Sequence, residues 1–177
     1  MELMKLDRRA ELEKMSKAEI IDYIDVLGKN FWSLQNNWMA NVTMRYGSDV
    51  AAEFDEMLWG KWSAVEAHRF RKLWNLGDTL ADVVKVMTFS LSAEEGPRGG
   101  ISEFTENRLA FKIVHCPMQI ARQEAGWPEL NCKPAFEAMW RAIISVINPG
   151  IELTRIYAPH DPHSEDDWCG AVLELKS

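Results

Sequence analysis

RLAFKIVHCPMQ, residues 108–119, is the stretch from which the fold follows. Leu109, Phe111 and Ile113 alternate with Arg108, Ala110 and Lys112, the period-two pattern of a strand with one wet face. Pro117 ends that strand and suits the first turn of a helix, Met118 to Ala125, where its missing N–H would have no partner anyway. Reading backward, Ile101 to Thr105 is a partner strand joined through the turn Glu106-Asn107. Reading forward, Gly126-Trp127-Pro128 is a break, and Cys132-Lys133-Pro134 opens a second helix. Phe136, Met139, Trp140, Ile143, Ile144 and Ile147 supply its buried face, and Asn148-Pro149-Gly150 stops it. Ile151 to Tyr157 and Trp168 to Leu175 read as two further strands around the loop Ala158 to Asp167. This ββ-αα-ββ order predicts a small antiparallel sheet of about four strands, packed by helices on one side.

The preceding half reads as helical. Ser16-Lys17-Ala18-Glu19 is a capping box, since the Ser hydroxyl can accept from the amide three residues on while Glu19 reaches back. Ile20, Ile24 and Leu27 follow on one face, and Gly28 suits a stop. Phe31, Leu34, Trp38, Val42 and Tyr46 mark a second helix, ended by Gly47. Ser48 or Asp49 then caps a longer one, with Val50, Phe54, Met57, Leu58, Trp62 and Val65 as its apolar stripe. Glu53, Asp55, Glu56 and Lys61 fall among the solvated remainder. Gly77-Asp78 breaks this helix, and Asp78 caps a fourth carrying Leu80, Val83, Val84 and Met87. The stretch Ala93 to Gly100 is a loop by composition. The expectation is an α+β fold in one domain over 1–177: a flexible 1–15, a helical half over 16–90 and a sheet-containing half over 100–177.

Composition narrows the function classes. At 177 residues and 47% hydrophobic content the chain is long enough to bury a core without staples. A net charge of −7 argues against nucleic acid, because phosphate binding needs a concentrated Lys/Arg face. The charged opening MELMKLDRRAELEKMS lacks the apolar run of a signal peptide, and no apolar stretch is long enough to span a bilayer. A reducing cytoplasm is the expected location, and there the 3 cysteines are ligands, nucleophiles or core residues rather than disulfides. The 8 tryptophans are many for this length. Trp32, Trp38, Trp59, Trp62 and Trp74 are too many for one helix face, and a homodimer seam is the expected use of the surplus.

The residues that can carry chemistry lie toward the C-terminus. Cys116 ends a strand, Cys132 starts a helix, and Cys169 starts a strand after a polar loop. Each alone is an ordinary core filler; together, at element ends, they point to a shared pocket. Helix N-terminal amides lower a thiol's pKa, so Cys132 is the leading nucleophile candidate, with Cys116 and His115 beside it. Zinc is the alternative occupant, held by thiolates of Cys116, Cys132 and Cys169 with His160 and His163. No compact CxxC or HxxxH spacing supports it, and His160-Asp161-Pro162-His163 also reads as a solvated loop. Cys169, Trp168 and Asp161 would face a small-molecule ligand. His68 reads as a surface residue. Gly96 to Gly100 precedes a strand, which is the wrong context for a phosphate loop.

Strand-His115-Cys116-Pro117, Cys132 before a helix, Asn148-Pro149-Gly150-Ile151-Glu152-Leu153 and WCGAVLEL (168–175) together resemble proteins related to L-2-amino-thiazoline-4-carboxylic acid hydrolase. They are especially similar to a branch of uncharacterised bacterial and archaeal proteins of about this length. WMANVTMRYGSDVAAEFDEMLWGKW (38–62) also looks like that branch. The order Cys-Pro, Cys, Cys is more distantly similar to 4-vinyl reductase domains, whose fold is a helix-flanked antiparallel sheet. The resemblance implies an α+β fold and a small-ligand pocket, with matches at Cys116, Cys132 and Cys169. The His-Asp-Pro-His loop has no counterpart in it.

Two function classes follow. One is a small-ligand or metal-binding domain without turnover. The other is a hydrolase opening a cyclic C–N substrate, with Cys132 or Cys116 attacking, His115 or His160 moving protons and a loop acid orienting. The absence of a complete nucleophile–base–orienter set in the spacing favours the first.

Overall fold

The computed structural model describes residues 7–93 and 98–176. Of the N-terminal stretch expected to be flexible, residues 1–6 lie outside the described set. Within the rest of it, α1 (Arg8–Leu12) is a short helix capped by the Asp7 carboxylate. Helix α2 (Lys17–Tyr46) starts at the expected Ser16–Glu19 capping box. It then runs straight through Gly28, which is buried inside it rather than stopping it. A helix-interior glycine costs only about 1 kcal/mol, and no proline or cap follows to break the ladder.

Gly47, at φ 89°, makes the turn into α3 (Ser48–Trp74), which ends on Asn75 in the left-handed region. The inward face of α3 differs from the expected apolar stripe. Phe54, Met57, Leu58 and Val65 are exposed, whereas Ala51, Asp55, Ser63 and Ala67 are buried. The reason is its neighbour. α3 packs against α6 (Lys133–Ile147) more extensively than any other two elements pack, and the small side chains let the two axes close. A Cβ added at Gly60 would meet the Ala138 Cβ at 3.5 Å.

Helix α4 (Leu80–Phe89) is capped by Thr79, not by Asp78, through a reciprocal capping box with Asp82. A single 3-10 turn, Leu91–Ala93, follows it. Of the expected loop, residues 94–97 lie outside the described set, and Arg98 to Gly100 belong instead to strand β1 (Arg98–Phe104). Gly99 permits this, since a Cβ there would fall 2.2 Å from the Lys112 carbonyl oxygen.

Strand β2 (Arg108–His115) leads into α5 (Pro117–Glu124), and α6 is followed by β3 (Ile151–Tyr157) and β4 (Cys169–Leu175). Trp168 precedes β4 rather than beginning it. The strands form one antiparallel sheet in the order β1-β2-β4-β3. In the register of β2 with β4, Leu109 faces Leu173, Phe111 faces Ala171 and Ile113 faces Cys169. These pairs share the inner face. The first two pairs join Trp140, Ile143, Ile144 and Ile147 of α6 and Leu80, Val83 and Val86 of α4 in the main core, and Ile113 and Cys169 pack with Cys116 and Trp168. The fold is thus α+β, with mostly N-terminal helices and a four-stranded antiparallel sheet in the C-terminal half. No helix among the described residues is long and apolar enough to cross a membrane.

Candidate functional site

A cavity of about 570 Å³ lies between the inner face of the sheet, α6, α4 and the α2–α3 hairpin. Leu109, Phe111, Ile113 and Cys169 line it from the sheet, and Ala135, Phe136, Met139 and Trp140 from α6. Trp32 and Gln35 of α2 and Asp55 and Trp59 of α3 close the helical side. Its wall is held in place from outside. Glu66 of α3 accepts the Ser90 hydroxyl at 2.6 Å and the Leu91 amide at 3.1 Å, fixing the turn after α4. The Trp32 indole N–H donates to the carbonyl of Ser92 in that turn at 3.2 Å.

Asp55 is the single carboxylate of this lining among the described residues. It is only 3% exposed, and its Oδ1 accepts the Gln35 amide N–H at 2.8 Å. Burial raises its pKa from 3.8 to about 6, with the Gln35 and Trp59 donors offsetting part of the rise. Among the described residues no cation offsets the rest. Arg98, the only basic residue of the lining among the described residues, stands exposed on β1. Sequence reasoning places Asp55 among solvated charges. The signal that would have found it is the four-residue spacing of Ala51, Asp55, Ser63 and Ala67, a face of small residues that only a closely packed helix can use.

All three cysteines border the cavity, as their positions at element ends suggest. Their state differs from the expected thiolate. Burial pushes the Cys132 thiol well up, and Cys116, Asp55 and Cys169 oppose its ionisation as well. Cys132 stands at the N-cap of α6, but its side chain makes no capping hydrogen bond. Its sulfur instead accepts the Gln119 amide N–H at 3.0 Å. The amides of Met118 and Gln119 pull the Cys116 thiol down, yet burial outweighs them. Cys169 is raised by burial first and by Cys116 next. Three neighbouring thiols in an apolar wall are therefore thiols, not thiolates, at neutral pH.

The remaining candidates lie elsewhere. His115, His160, His163, Asp161 and Trp168 are absent from the cavity lining. The His160 ring nitrogen pairs with the Glu129 carbonyl at 3.1 Å, and the His163 ring with the Glu129 carboxylate at 3.2 Å. His163 also packs on Trp168, ring centres 4.8 Å apart. Trp168 is buried with Ile113 and Cys116. Asp161 accepts from Lys133 Nζ and from the Ala158 amide, so it ties the loop after β3 to the start of α6. Among the described residues, no group of three or more His, Cys, Asp and Glu side chains is disposed to hold a metal ion. His68 is exposed, as expected. The aromatic surplus is largely spent inside the chain: Phe31, Trp32, Trp59 and Trp62 pack together across the α2–α3 hairpin.

The arrangement can enclose an apolar molecule and offer it one carboxylate, one amide and three neutral thiols. It brings no imidazole to those thiols. No curated protein and no solved structure matches the chain. Residues 13–175 match a family of unknown function, and the chain belongs to that family, DUF6125.

Proposed function

We propose that the protein is a small-molecule-binding domain whose ligand occupies the cavity between the sheet and the α2–α3 hairpin. The observation that supports this is the cavity itself: about 570 Å³, walled by aliphatic and aromatic side chains around the few polar groups at Asp55 and Gln35. That size and polarity are typical of sites that bury a drug-sized ligand. The hydrolytic alternative, derived from the resemblance to L-2-amino-thiazoline-4-carboxylic acid hydrolase, draws less support. A cysteine nucleophile needs a thiolate or a base beside it. Here the thiols are raised by burial and no histidine lines the cavity.

The test is the binding of a neutral apolar fluorophore, N-phenyl-1-naphthylamine, to the full chain. Saturable enhancement at one site per chain is expected. Ala135→Phe, which fills the cavity wall from α6, abolishes it while the far-ultraviolet circular dichroism is retained. Binding undiminished in that variant would put the ligand elsewhere. A homodimer belongs to the same proposal. Trp38 and Phe54, 42% and 43% exposed, meet edge to face on the outer side of the hairpin. Light scattering at the mass of one chain excludes it.

A further inference from the structure

Within that cavity, the two helices of the hairpin present a matched set. Gln35 follows Trp32 by three residues on α2, and Trp59 follows Asp55 by four on α3, so each pair shares a helix face. All four line the cavity. The Gln35 amide reaches Asp55 across the hairpin at 2.8 Å, and the Trp32 and Trp59 rings lie 6.1 Å apart, tilted by 39°. A carboxylate thus stands beside two indoles at one end of an apolar chamber, and among the described residues no positive side chain is set against it.

We infer that the cavity selects organic cations, an aliphatic or aromatic body carrying a protonated amine, with the ammonium seated between Asp55 and the indoles of Trp32 and Trp59. This rests on the small-molecule reading above and names the ligand class for it. The physical reason is what each candidate head group would meet. An ammonium would supply the counter-charge that Asp55 lacks, and its N–H groups would be satisfied by the carboxylate. The indole faces would add cation–π attraction that strengthens in a desolvated site. A carboxylate or phosphate head would face like charge at Asp55, which a neutral donor such as the unpartnered Trp140 indole N–H would not offset. A neutral alcohol would gain a hydrogen bond but leave the carboxylate's charge uncompensated.

The other titratable groups around the cavity do not compete for this role. The three thiols remain neutral through neutral pH, Arg98 is exposed, and α4 contributes only Val84, Met87 and Thr88. Among the described lining residues, Asp55 is the group that changes charge between pH 5 and 7.5.

Calorimetric titration of the full chain with three isosteres tests this: 1-naphthylmethylamine, 1-naphthylmethanol and 1-naphthoate. At pH 7.5 the amine is expected to bind at least about tenfold more tightly than the alcohol, and the acid not to bind. Asp55→Asn should abolish the amine's advantage over the alcohol. In the unmodified chain, the same advantage should shrink as pH falls from 7.5 to 5, which tests the inference without relying on the variant. Alcohol binding equal to or tighter than the amine's overturns the cation assignment and leaves the small-molecule reading standing. So does an amine preference that survives Asp55→Asn. Failure of all three to bind removes both.

Discussion

The Gln35 amide nitrogen donates to Asp55 Oδ1 at 2.8 Å across the α2–α3 hairpin, and this one bond joins the two residues that make the cavity polar. Its strength is insufficient to hold Asp55 at an ordinary pKa, because burial acts on the whole carboxylate while Gln35 satisfies one oxygen. The folded-state value of about 6 exceeds the ordinary 3.8, so the folded chain binds the proton more tightly than the unfolded one. Stability is therefore favoured below pH 4 and lost as pH rises through 6. At higher pH the ionised Asp55 costs the fold about 2–3 kcal/mol. Asp55→Asn keeps the acceptor for Gln35 and removes the charge. Urea melts should show it more stable than the parent by about 1–3 kcal/mol at pH 8 and equal to it at pH 4. Equal stability at both would mean that Asp55 is hydrated, not desolvated.

Gly60 faces α6 from α3, and a Cβ there would touch Ala138 at an ordinary 3.5 Å. Two opposed effects follow. Alanine fits the gap and gains helix propensity, so Gly60→Ala should stabilise by about 0.5–1 kcal/mol. Leucine needs space that the helix pair does not have, and Gly60→Leu should destabilise by about 1–3 kcal/mol. If leucine were as well tolerated as alanine in thermal melts, the tight α3–α6 seam would not be what sets the inward face of α3.

These residues also show how far the sequence could be read. The sheet was legible because β2 alternates cleanly, and because Pro117, Pro134 and the Asn148-Pro149-Gly150 stop punctuate the helices between strands. The face of α3 was not. Hydrophobicity marks Phe54, Met57 and Leu58 as its core, but close helix packing selects for small volume, and Asp55 is carried inward by the spacing of alanines and a serine. The clustering of Cys116, Cys132 and Cys169 was legible from their places at element ends. Their ionisation was not, because a helix N-terminus lowers a thiol's pKa only if burial does not outweigh it.

The thiols supply a direct kinetic test. Reaction with iodoacetamide requires thiolate, which burial disfavours at Cys116, Cys132 and Cys169. At pH 7.5 each should label at least about tenfold more slowly than glutathione, and at glutathione's rate in guanidinium chloride. Since all three border the cavity, a bound 1-naphthylmethylamine should slow them further. Mass spectrometry of tryptic peptides resolves the sites. Fast labelling of Cys132 in the folded chain would restore it as an activated nucleophile.

Gln119 governs how Cys132 is held. It is 1% exposed, and its side chain both accepts from the Leu130 amide at 3.0 Å and donates to the Leu130 carbonyl at 2.8 Å. The same amide nitrogen reaches Cys132 Sγ at 3.0 Å. Leu130 thus takes both its backbone partners from α5, whereas the Cys132 amide donates to the Pro159 carbonyl at 3.1 Å. Gln119→Leu conserves approximate volume and strips both Leu130 groups of those partners, at about 1–3 kcal/mol for each buried group left unpaired. A total loss of about 2–4 kcal/mol is expected in urea melts. Because the loss is local to the approach to α6, Cys132 should become the fastest-labelling of the three thiols, while Cys169 on β4 keeps its parent rate. Uniform acceleration of all three would instead mean that Gln119 stabilises the whole fold and does not position Cys132.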